Sequence, residues 1–352
     1  MGEYEYPTKL RPRSVPAFLY HGTNKTMRVR HEILNCAVFI YGSEKMALRG
    51  EADGANGFFV RKASEAHPDY NYFYIATNAH VVEDLRISKH DGVFRINKDD
   101  GMSDIEPIDD SRWILHPDFD DLAIYPIVLK PEWAVTYLPY DSGFLGPENV
   151  YPNGWCVGAA DETILVGRMV GYSGKQANTP VVCSGHIAMV PSETEKITQV
   201  GRKISTGEEF DQLSFLVETH TVKGYSGSPV FVPVIPNTPQ TRGLEDTKFL
   251  LLGIEWGYPE VSVYNVGDYY DHPSGMSAVV PGWKLKELID MPEAKRIRDE
   301  ADKTLPGVQA KRRAKMASGF KSADNGLTEQ EFDGVLRKVT RKVDKPDQKK
   351  RG

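Results

Sequence analysis

The stretch that decides the fold is Gly224-Tyr225-Ser226-Gly227-Ser228-Pro229-Val230-Phe231, which sets a serine between two glycines directly before an apolar, β-prone run. A serine hydroxyl is a weak nucleophile until a base removes its proton and nearby donors stabilise the oxyanion that forms. Glycines beside the serine allow the sharp turn that brings two backbone N–H groups to one point. The pattern therefore predicts a nucleophilic Ser226 at the rim of a sheet, against the plainer interpretation of Ser226 as a turn residue.

Two further segments supply a base and a group to orient it. His80 follows an aromatic and β-branched run, 72–77, which is typical of a buried strand. Asp121 directly precedes a second apolar strand, 122–127. Polar groups at strand ends, in the chain order His, Asp, Ser, predict a catalytic triad. Two alternatives stay open: His80 as a buried core histidine, and Asp120 as the orienting carboxylate.

The same segments resemble the signature motifs of the trypsin-like serine peptidases. Thr77-Asn78-Ala79-His80-Val81 is similar to their Thr-Ala-Ala-His motif, and Asp121-Leu122-Ala123-Ile124 to their Asp-Ile/Leu-Ala motif. Gly224-Tyr225-Ser226-Gly227-Ser228-Pro229 resembles the motif around their nucleophile. The stretches 54–60 and 252–257 resemble the strands before the histidine and after the serine. The resemblance implies a mainly β, chymotrypsin-like fold of two six-stranded antiparallel β-barrels with a C-terminal helical appendage, as in the bacterial, organellar or viral members that lack disulfides.

The resemblance also implies a role for each residue of the triad. Ser226 would attack the scissile carbonyl, His80 would take its proton and later protonate the leaving amine, and Asp121 would orient the imidazole. The backbone N–H groups of Gly224 and Ser226 would bind the oxyanion. This is the chemistry of a serine endopeptidase that passes through an acyl-enzyme, and we expect it to need no cofactor and no metal.

The substrate pocket is indicated by the resemblance alone. His220, six residues before the nucleophile, would lie at its base, with Lys223 nearby and with Trp256 and Gly257 in its wall. A histidine and a lysine there favour an acidic or polar substrate residue. A different loop offset, which would put His220 elsewhere, remains equally open.

Three further observations bear on the assignment of Ser226 as the nucleophile of a trypsin-like peptidase. Tyr225 stands where animal zymogens carry the aspartate that pairs with a freed N-terminus, so we do not expect activation by N-terminal cleavage. A second Gly-Tyr-Ser-Gly string, 171–174, is followed by polar residues, which predicts a turn at Ser173 and no nucleophile. The α/β-hydrolases have the chain order Ser, Asp, His, and this chain does not.

The domain organisation follows from the strand-like runs and from the charge. Residues 1–32 are predicted to be an arm, 33–290 the peptidase domain and 291–352 a basic, partly helical tail. Within the domain, barrel one covers about 33–135, barrel two about 150–282, and a helix at 283–290 closes the fold. The segment 284–352 has a net charge of +7 and the rest of the chain −13. An amphipathic helix is predicted after Thr328, and we expect the tail to be dispensable for folding. The strand-like runs are 33–41, 57–60, 72–77 and 122–127 in barrel one, and 155–158, 165–170, 181–190, 213–218, 230–234, 249–256 and 275–280 in barrel two.

Composition restricts the partners and the compartment. No apolar run is long enough to span a membrane. The three cysteines, Cys36, Cys156 and Cys183, have no metal-ligand spacing and are expected to be free, buried thiols in a reducing compartment, so we expect a cytoplasmic protein. The expected partners are a peptide or protein substrate and a protein bound through the tail, and not nucleic acid. Two other functions stay open: an inactive double-barrel binding scaffold, and an interaction protein that acts through its tail.

Overall fold

The structure, a computed structural model, describes residues 29, 31–117, 120–154, 156–203, 208–219, 224–234, 248–265, 268–317, 332 and 334–336. The first half of the chain has eight strands: β1 (Ala37–Tyr41), β2 (Ala55–Ala63), β3 (Asn71–Thr77), β4 (Val93–Asn97), β5 (Ser103–Pro107), β6 (Ile114–Leu115), β7 (Ala123–Ile127) and β8 (Leu138–Pro139). The second half has ten: β9 (Glu162–Gly167), β10 (Val181–Met189), β11 (Ile197–Lys203), β12 (Glu208–Gln212), β13 (Phe215–Glu218), β14 (Pro229–Val234), β15 (Lys248–Gly257), β16 (Glu260–Asn265), β17 (Asp268–Pro273) and β18 (Met276–Pro281). The α-helices are α1 (His31–Leu34), α2 (Glu44–Arg49), α3 (Ala79–Ile87), α4 (Gly282–Asp290) and α5 (Pro292–Ala317).

The first half forms one sheet in the order β5-β4-β1-β2-β3-β7-β6, with β8 paired in parallel to β2. Four of its strands, β1, β2, β3 and β7, were predicted, although β1 starts after α1 and therefore later than residue 33. β4 and β5 were missed because Arg95, Asp104 and Glu106 interrupt their apolar pattern. In the described part of the chain, the pairings of this sheet run from β5 to the two-residue β6 without joining its ends, where we had expected a six-stranded barrel.

The second half is a closed barrel of six strands in the order β10-β13-β18-β15-β14-β9, and β9 pairs back to β10. These six strands match six of the predicted runs. The seventh run, 155–158, is wrong: Val157 makes only an isolated bridge to Val150. Two hairpins outside the barrel, β11–β12 and β16–β17, were not predicted. The mainly β class, with a closed barrel, a large first sheet and C-terminal helices, is confirmed.

The C-terminal helices pack on the body. α4 lies at the position predicted for the closing helix. α5 packs along β2 and β3, where Tyr72 OH donates to the Arg298 carbonyl at 3.0 Å and Arg298 Nη1 donates to Tyr74 OH at 3.0 Å. The Ser64 hydroxyl donates to Asp302 Oδ1 at 2.8 Å. Beyond residue 290, the apolar residues buried in the main core cluster are Ala294, Ile297, Ala301, Leu305, Phe332, Val335 and Leu336.

Several predictions concern residues beyond the described ranges. The arm at 1–32 lies outside them except at positions 29, 31 and 32. Of the helix predicted after Thr328, residues 332 and 334–336 are helical, and its ends are not described. None of the described helices is long and apolar enough to cross a membrane. The three thiols are free, and Cys36 is buried as predicted, but Cys156 is exposed and Cys183 is half-buried.

Candidate active site

His80 lies in the first turn of α3, at the end of β3. β3 ends at Thr77, and Asn78 adopts an extended conformation as the N-cap of α3, with φ −81 and ψ 151. The helix presents His80, Val81 and Val82 to the interior. The chain therefore turns from strand to helix at the histidine, which the sequence placed only at the end of a strand.

Asp121 holds His80 through two hydrogen bonds. The imidazole Nδ1 lies 2.7 Å from Asp121 Oδ2, and the His80 backbone N–H donates to Asp121 Oδ1 at 2.9 Å. Both residues are buried, His80 at 4% exposure and Asp121 at 2%. A carboxylate on Nδ1 selects the tautomer that carries its proton there and leaves Nε2 as the acceptor. The carboxylate next to it, Asp120, turns away from the imidazole.

Asp120 belongs to a second polar group on the far side of the loop. Its carboxylate accepts from Gln212 Nε2 at 2.8 Å and lies 3.5 Å from both Lys284 Nζ and His116 Nδ1. His116, Asp120 and Glu287 bring metal-ligating atoms within 4.8 Å of one another. Lys284 Nζ, 3.0 Å from Glu287, already pairs with both carboxylates of this set. Burial alone would lower the pKa of Lys284, but the hydrogen bond to Glu287 and the charge of Asp120 raise it, so the lysine stays protonated there.

Gln212 also fixes Asp121 from the other half of the molecule. Its Oε1 accepts the backbone N–H of Asp121 at 2.8 Å, and the side chain is 1% exposed. Asn78 Nδ2 donates to the Asp121 carbonyl at 2.9 Å. The backbone of Asp121 is thus held on both sides. Gln212 was not predicted, because a single glutamine at the end of a strand carries no motif.

The loop that carries Ser226 needs both of its glycines. Gly224 has φ +106 and Gly227 has φ +85, conformations that a side chain disfavours. A Cβ at Gly227 would lie 1.9 Å from the Asn56 carbonyl oxygen, and one at Gly224 would lie 2.9 Å from Val170. The glycines are therefore required by close backbone approach as well as by the turn. The serine hydroxyl is half-buried and donates to the Trp256 carbonyl at 3.5 Å.

The backbone N–H groups of this loop fall into two sets, with and without an acceptor among the described residues. Gly227 N–H donates to the Glu255 carbonyl and Ser228 N–H to the Tyr225 carbonyl, each at 2.9 Å. Those of Gly224, Tyr225 and Ser226 have no acceptor among the described residues. Donors left open in this way beside a nucleophile are suited to an oxyanion.

Asn56 fastens this loop to β2. Its Nδ2 donates to the Gly224 carbonyl at 2.9 Å, and its backbone N–H donates to the Ser226 carbonyl at 2.9 Å. Its Oδ1 accepts the Arg168 N–H at 2.6 Å, and its carbonyl accepts the Thr77 hydroxyl at 2.7 Å. The residue is fully buried. Asn56 lies in the stretch 54–60 that resembles a strand of the family, and no role was predicted for it, although a polar residue inside an apolar strand is the signal that could have found it.

His80, Ser226 and Gly224 line one cavity of about 540 Å³. Trp256 and Gly257, which were predicted in a pocket wall, do not line this cavity; Trp256 is buried and donates from its indole to Ser214 Oγ at 2.9 Å. His220 and Lys223 lie outside the described residues. The pocket of these four residues therefore stays a prediction.

The two other residues that the sequence singled out are packed. Tyr225 is 3% exposed and lies in the core of the closed barrel, where Cys183 Sγ lies 3.6 Å from its hydroxyl. Ser173 is buried in a loop, and its hydroxyl donates to the Gly50 carbonyl at 3.2 Å. Ser173 does not line the cavity with His80.

Comparison with known proteins adds structural neighbours only. No protein-family model and no curated protein matches the chain. Among solved structures, the MamO protease domain from Magnetospirillum magneticum is 13% identical over 73% of this chain and 97% of its own, with a TM-score of 0.41. The Rv3671c protease from M. tuberculosis is 14% identical over 73% of this chain and 80% of its own, with a TM-score of 0.39. A tobacco etch virus protease mutant is 15% identical over 76% of this chain and 83% of its own, with a TM-score of 0.37. These three solved structures are proteases, and at these identities and TM-scores the likeness says nothing about the activity of this chain.

Proposed function

We propose that this chain is a serine endopeptidase with Ser226 as nucleophile, His80 as general base and Asp121 as the residue that orients the base. The proposal rests on the contact between His80 Nδ1 and Asp121 Oδ2, at 2.7 Å, and on the cavity that His80 and Ser226 both line. A buried carboxylate on one ring nitrogen leaves the other directed to bind and transfer a proton.

The reaction then proceeds in two halves. The Ser226 hydroxyl rotates from the Trp256 carbonyl toward His80, gives its proton to Nε2, and forms a bond to the scissile carbonyl carbon. The N–H groups of Gly224 and Ser226 bind the resulting oxyanion. The C–N bond breaks as Nε2 returns the proton to the leaving amine, which leaves an acyl-enzyme. Water, deprotonated by the same imidazole, releases the acid product and restores the serine.

One observation favours a second candidate, an inactive double-barrel scaffold. The hydrogen bond of Ser226 Oγ is to the Trp256 carbonyl, at 3.5 Å, and not to His80. The interaction protein that acts through its tail has weaker support, because the described part of that tail is packed on the body. We still propose that a protein substrate, and no nucleic acid, is the main partner. The three free thiols support our proposal of a reducing, cytoplasmic location.

Labelling with a fluorophosphonate tests the function without knowledge of the substrate, because the reagent reacts with an activated serine. Wild-type protein should be labelled at Ser226, and heat-denatured protein should not. Ser226→Ala should abolish labelling and His80→Ala should reduce it by several orders of magnitude, since triad residues act as a unit. Ser173→Ala is the matched control and should be labelled like wild type. Absence of labelling in the native wild type would establish the scaffold in place of the enzyme.

A further inference from the structure

The cavity beside the triad extends in one direction from Ser226. It is lined by the first-half segments β1–α2, residues 52–55 and α3, together with Val170 and Gly224. Trp256, whose carbonyl accepts from the Ser226 hydroxyl, is not part of it. The cavity therefore lies on the His80 side of the nucleophile, away from β15. In the proposed reaction the leaving amine departs toward His80, because that imidazole protonates it. This is the side where the substrate residues that follow the scissile bond would lie.

The lining of the cavity combines an apolar floor with an acidic rim. The carboxylates of Asp53 and Asp84 are exposed at the rim, and neither makes an ion pair or a hydrogen bond within the described residues. His90 lies beside them, against Gly42. The apolar side chains of the lining are Ile40, Met46, Val81, Leu85 and Val170. A ligand that matches this surface has a long aliphatic stem and a cationic end.

Both carboxylates stand on supported backbone. Arg168 is fully buried and donates to the carbonyls of Glu51 at 3.0 Å, Ala52 at 2.8 Å and Gly54 at 2.6 Å, the residues that surround Asp53. Burial lowers the pKa of the Arg168 guanidinium, and the hydroxyl of Tyr41 and the charge of Asp53 partly oppose that shift. Asp84 is on α3, whose first turn is held by the bond from the His80 N–H to Asp121. A rim held in this way loses little freedom when a ligand binds.

We propose, on the basis that the chain is a serine peptidase, that this cavity selects the residue that follows the scissile bond and prefers lysine or arginine there. The methylene groups would lie on the apolar floor, and the cation would lie between Asp53 and Asp84. The cleavage preference is then set in part on the leaving-group side, by first-half residues, and not only by the pocket at His220 that the sequence suggested.

Acyl transfer tests this inference directly, because by microscopic reversibility an amine that attacks the acyl-enzyme occupies the site that the leaving amine vacates. p-Nitrophenyl acetate supplies an acetyl group with no side chain on the acyl side. Lysinamide, norleucinamide and glutamic acid amide then compete with water, and the ratio of N-acetylated amine to acetate is measured by chromatography. Exposed charge pairs contribute about 0.2–1 kcal/mol each, so with two carboxylates lysinamide should be captured about 2- to 30-fold better than norleucinamide. Glutamic acid amide should be captured least.

The variants separate the rim from general charge effects. Asp53→Asn with Asp84→Asn should erase the difference between lysinamide and norleucinamide. Glu65→Gln with Asp69→Asn removes two exposed charges outside the cavity and should leave the difference intact. Equal capture of the three amines by wild type, or a lysinamide preference that survives loss of the rim carboxylates, would overturn the inference and leave the peptidase proposal standing. If no acetyl-enzyme forms at Ser226, judged against Ser226→Ala, the proposed function fails and the inference fails with it.

Discussion

Replacing Asn56 with alanine would remove the side chain that ties the nucleophile loop to β2. The change leaves two groups without a partner at a fully buried position: the Gly224 carbonyl, 2.9 Å from Nδ2, and the Arg168 N–H, 2.6 Å from Oδ1. A buried polar group left unsatisfied costs about 1–3 kcal/mol, so for these two groups we expect the free energy of unfolding to fall by about 2–6 kcal/mol.

The effect on chemistry should exceed what a loss of stability explains. Gly224 is the residue whose N–H is proposed to bind the oxyanion, and its carbonyl would no longer be anchored. Complete loss of one oxyanion donor reduces turnover by about 10²–10³-fold, and a displaced donor should cost less, about 10–100-fold. The assay is the second-order rate of labelling by a fluorophosphonate, measured well below the unfolding temperature. Denaturant unfolding gives the stability of the same sample.

Asn178→Ala is the matched control. Asn178 is 5% exposed, and its Nδ2 donates to the Arg95 carbonyl at 2.6 Å, but it does not line the cavity. It should lose stability of the same order and keep the wild-type labelling rate. If Asn56→Ala is as destabilised as Asn178→Ala and is labelled equally fast, Asn56 serves only the fold and its assignment as a positioning residue is refuted.

Three further predictions concern charge, thiols and the C-terminal helices. Burial, and after it the charge of Asp121, raises the pKa of Glu83, so the stability of the folded protein falls as pH rises through the titration of this carboxyl group. Glu83→Gln should therefore raise the melting temperature at pH 7 but not below about pH 4, and a gain of equal size at both pH values would contradict this. Burial raises the pKa of the Cys36 thiol to about 12, so a disulfide reagent should modify exposed Cys156 in the native protein and Cys36 only after unfolding, and native modification of Cys36 would be the contrary result. Truncation after Asp290 should lower the free energy of unfolding by several kcal/mol, because it exposes core residues that the tail covers. The sequence suggested that the tail is dispensable for folding, and an unchanged denaturation midpoint would support that expectation instead.

The strands of the closed barrel and the residues of the candidate triad were accessible from the sequence because their signals are local. An apolar run bounded by turn residues predicts β9, β14 or β15 without knowledge of its partners. The glycines on either side of Ser226 are visible as a pattern, and the structure adds the reason, which is contact with Asn56 and Val170. Asp121 was preferred to Asp120 because it directly precedes the apolar strand, and the structure adds the contact of the Asp121 carboxylate with His80.

The packing of the tail on the body was left open by the sequence for a different physical reason. Its charge suggests a solvated segment, and the mean composition hides a stripe of small and apolar residues at Ala294, Ile297, Ala301 and Leu305. The surface that accepts this stripe is formed by β2 and β3, whose Tyr72 and Tyr74 belong to the aromatic, β-prone run that predicted only a buried strand. The helix and the sheet surface contact each other only in the folded protein, so the sequence of neither segment alone predicts that contact.

The polar residues that hold the site were invisible because their partners are distant along the chain. Asn56 reaches Gly224 across a separation of 168 residues, and Gln212 reaches Asp121 across 91. Each contact joins the two halves of the chain. Asn56, from the first half, holds the loop of Ser226 in the second half, and Gln212, from the second half, holds the loop of Asp121 in the first. Because each half positions the reactive group of the other, the distance between His80 and Ser226 depends on the interface between the halves. A substitution at that interface should therefore change the rate of serine labelling even when both halves keep their own fold.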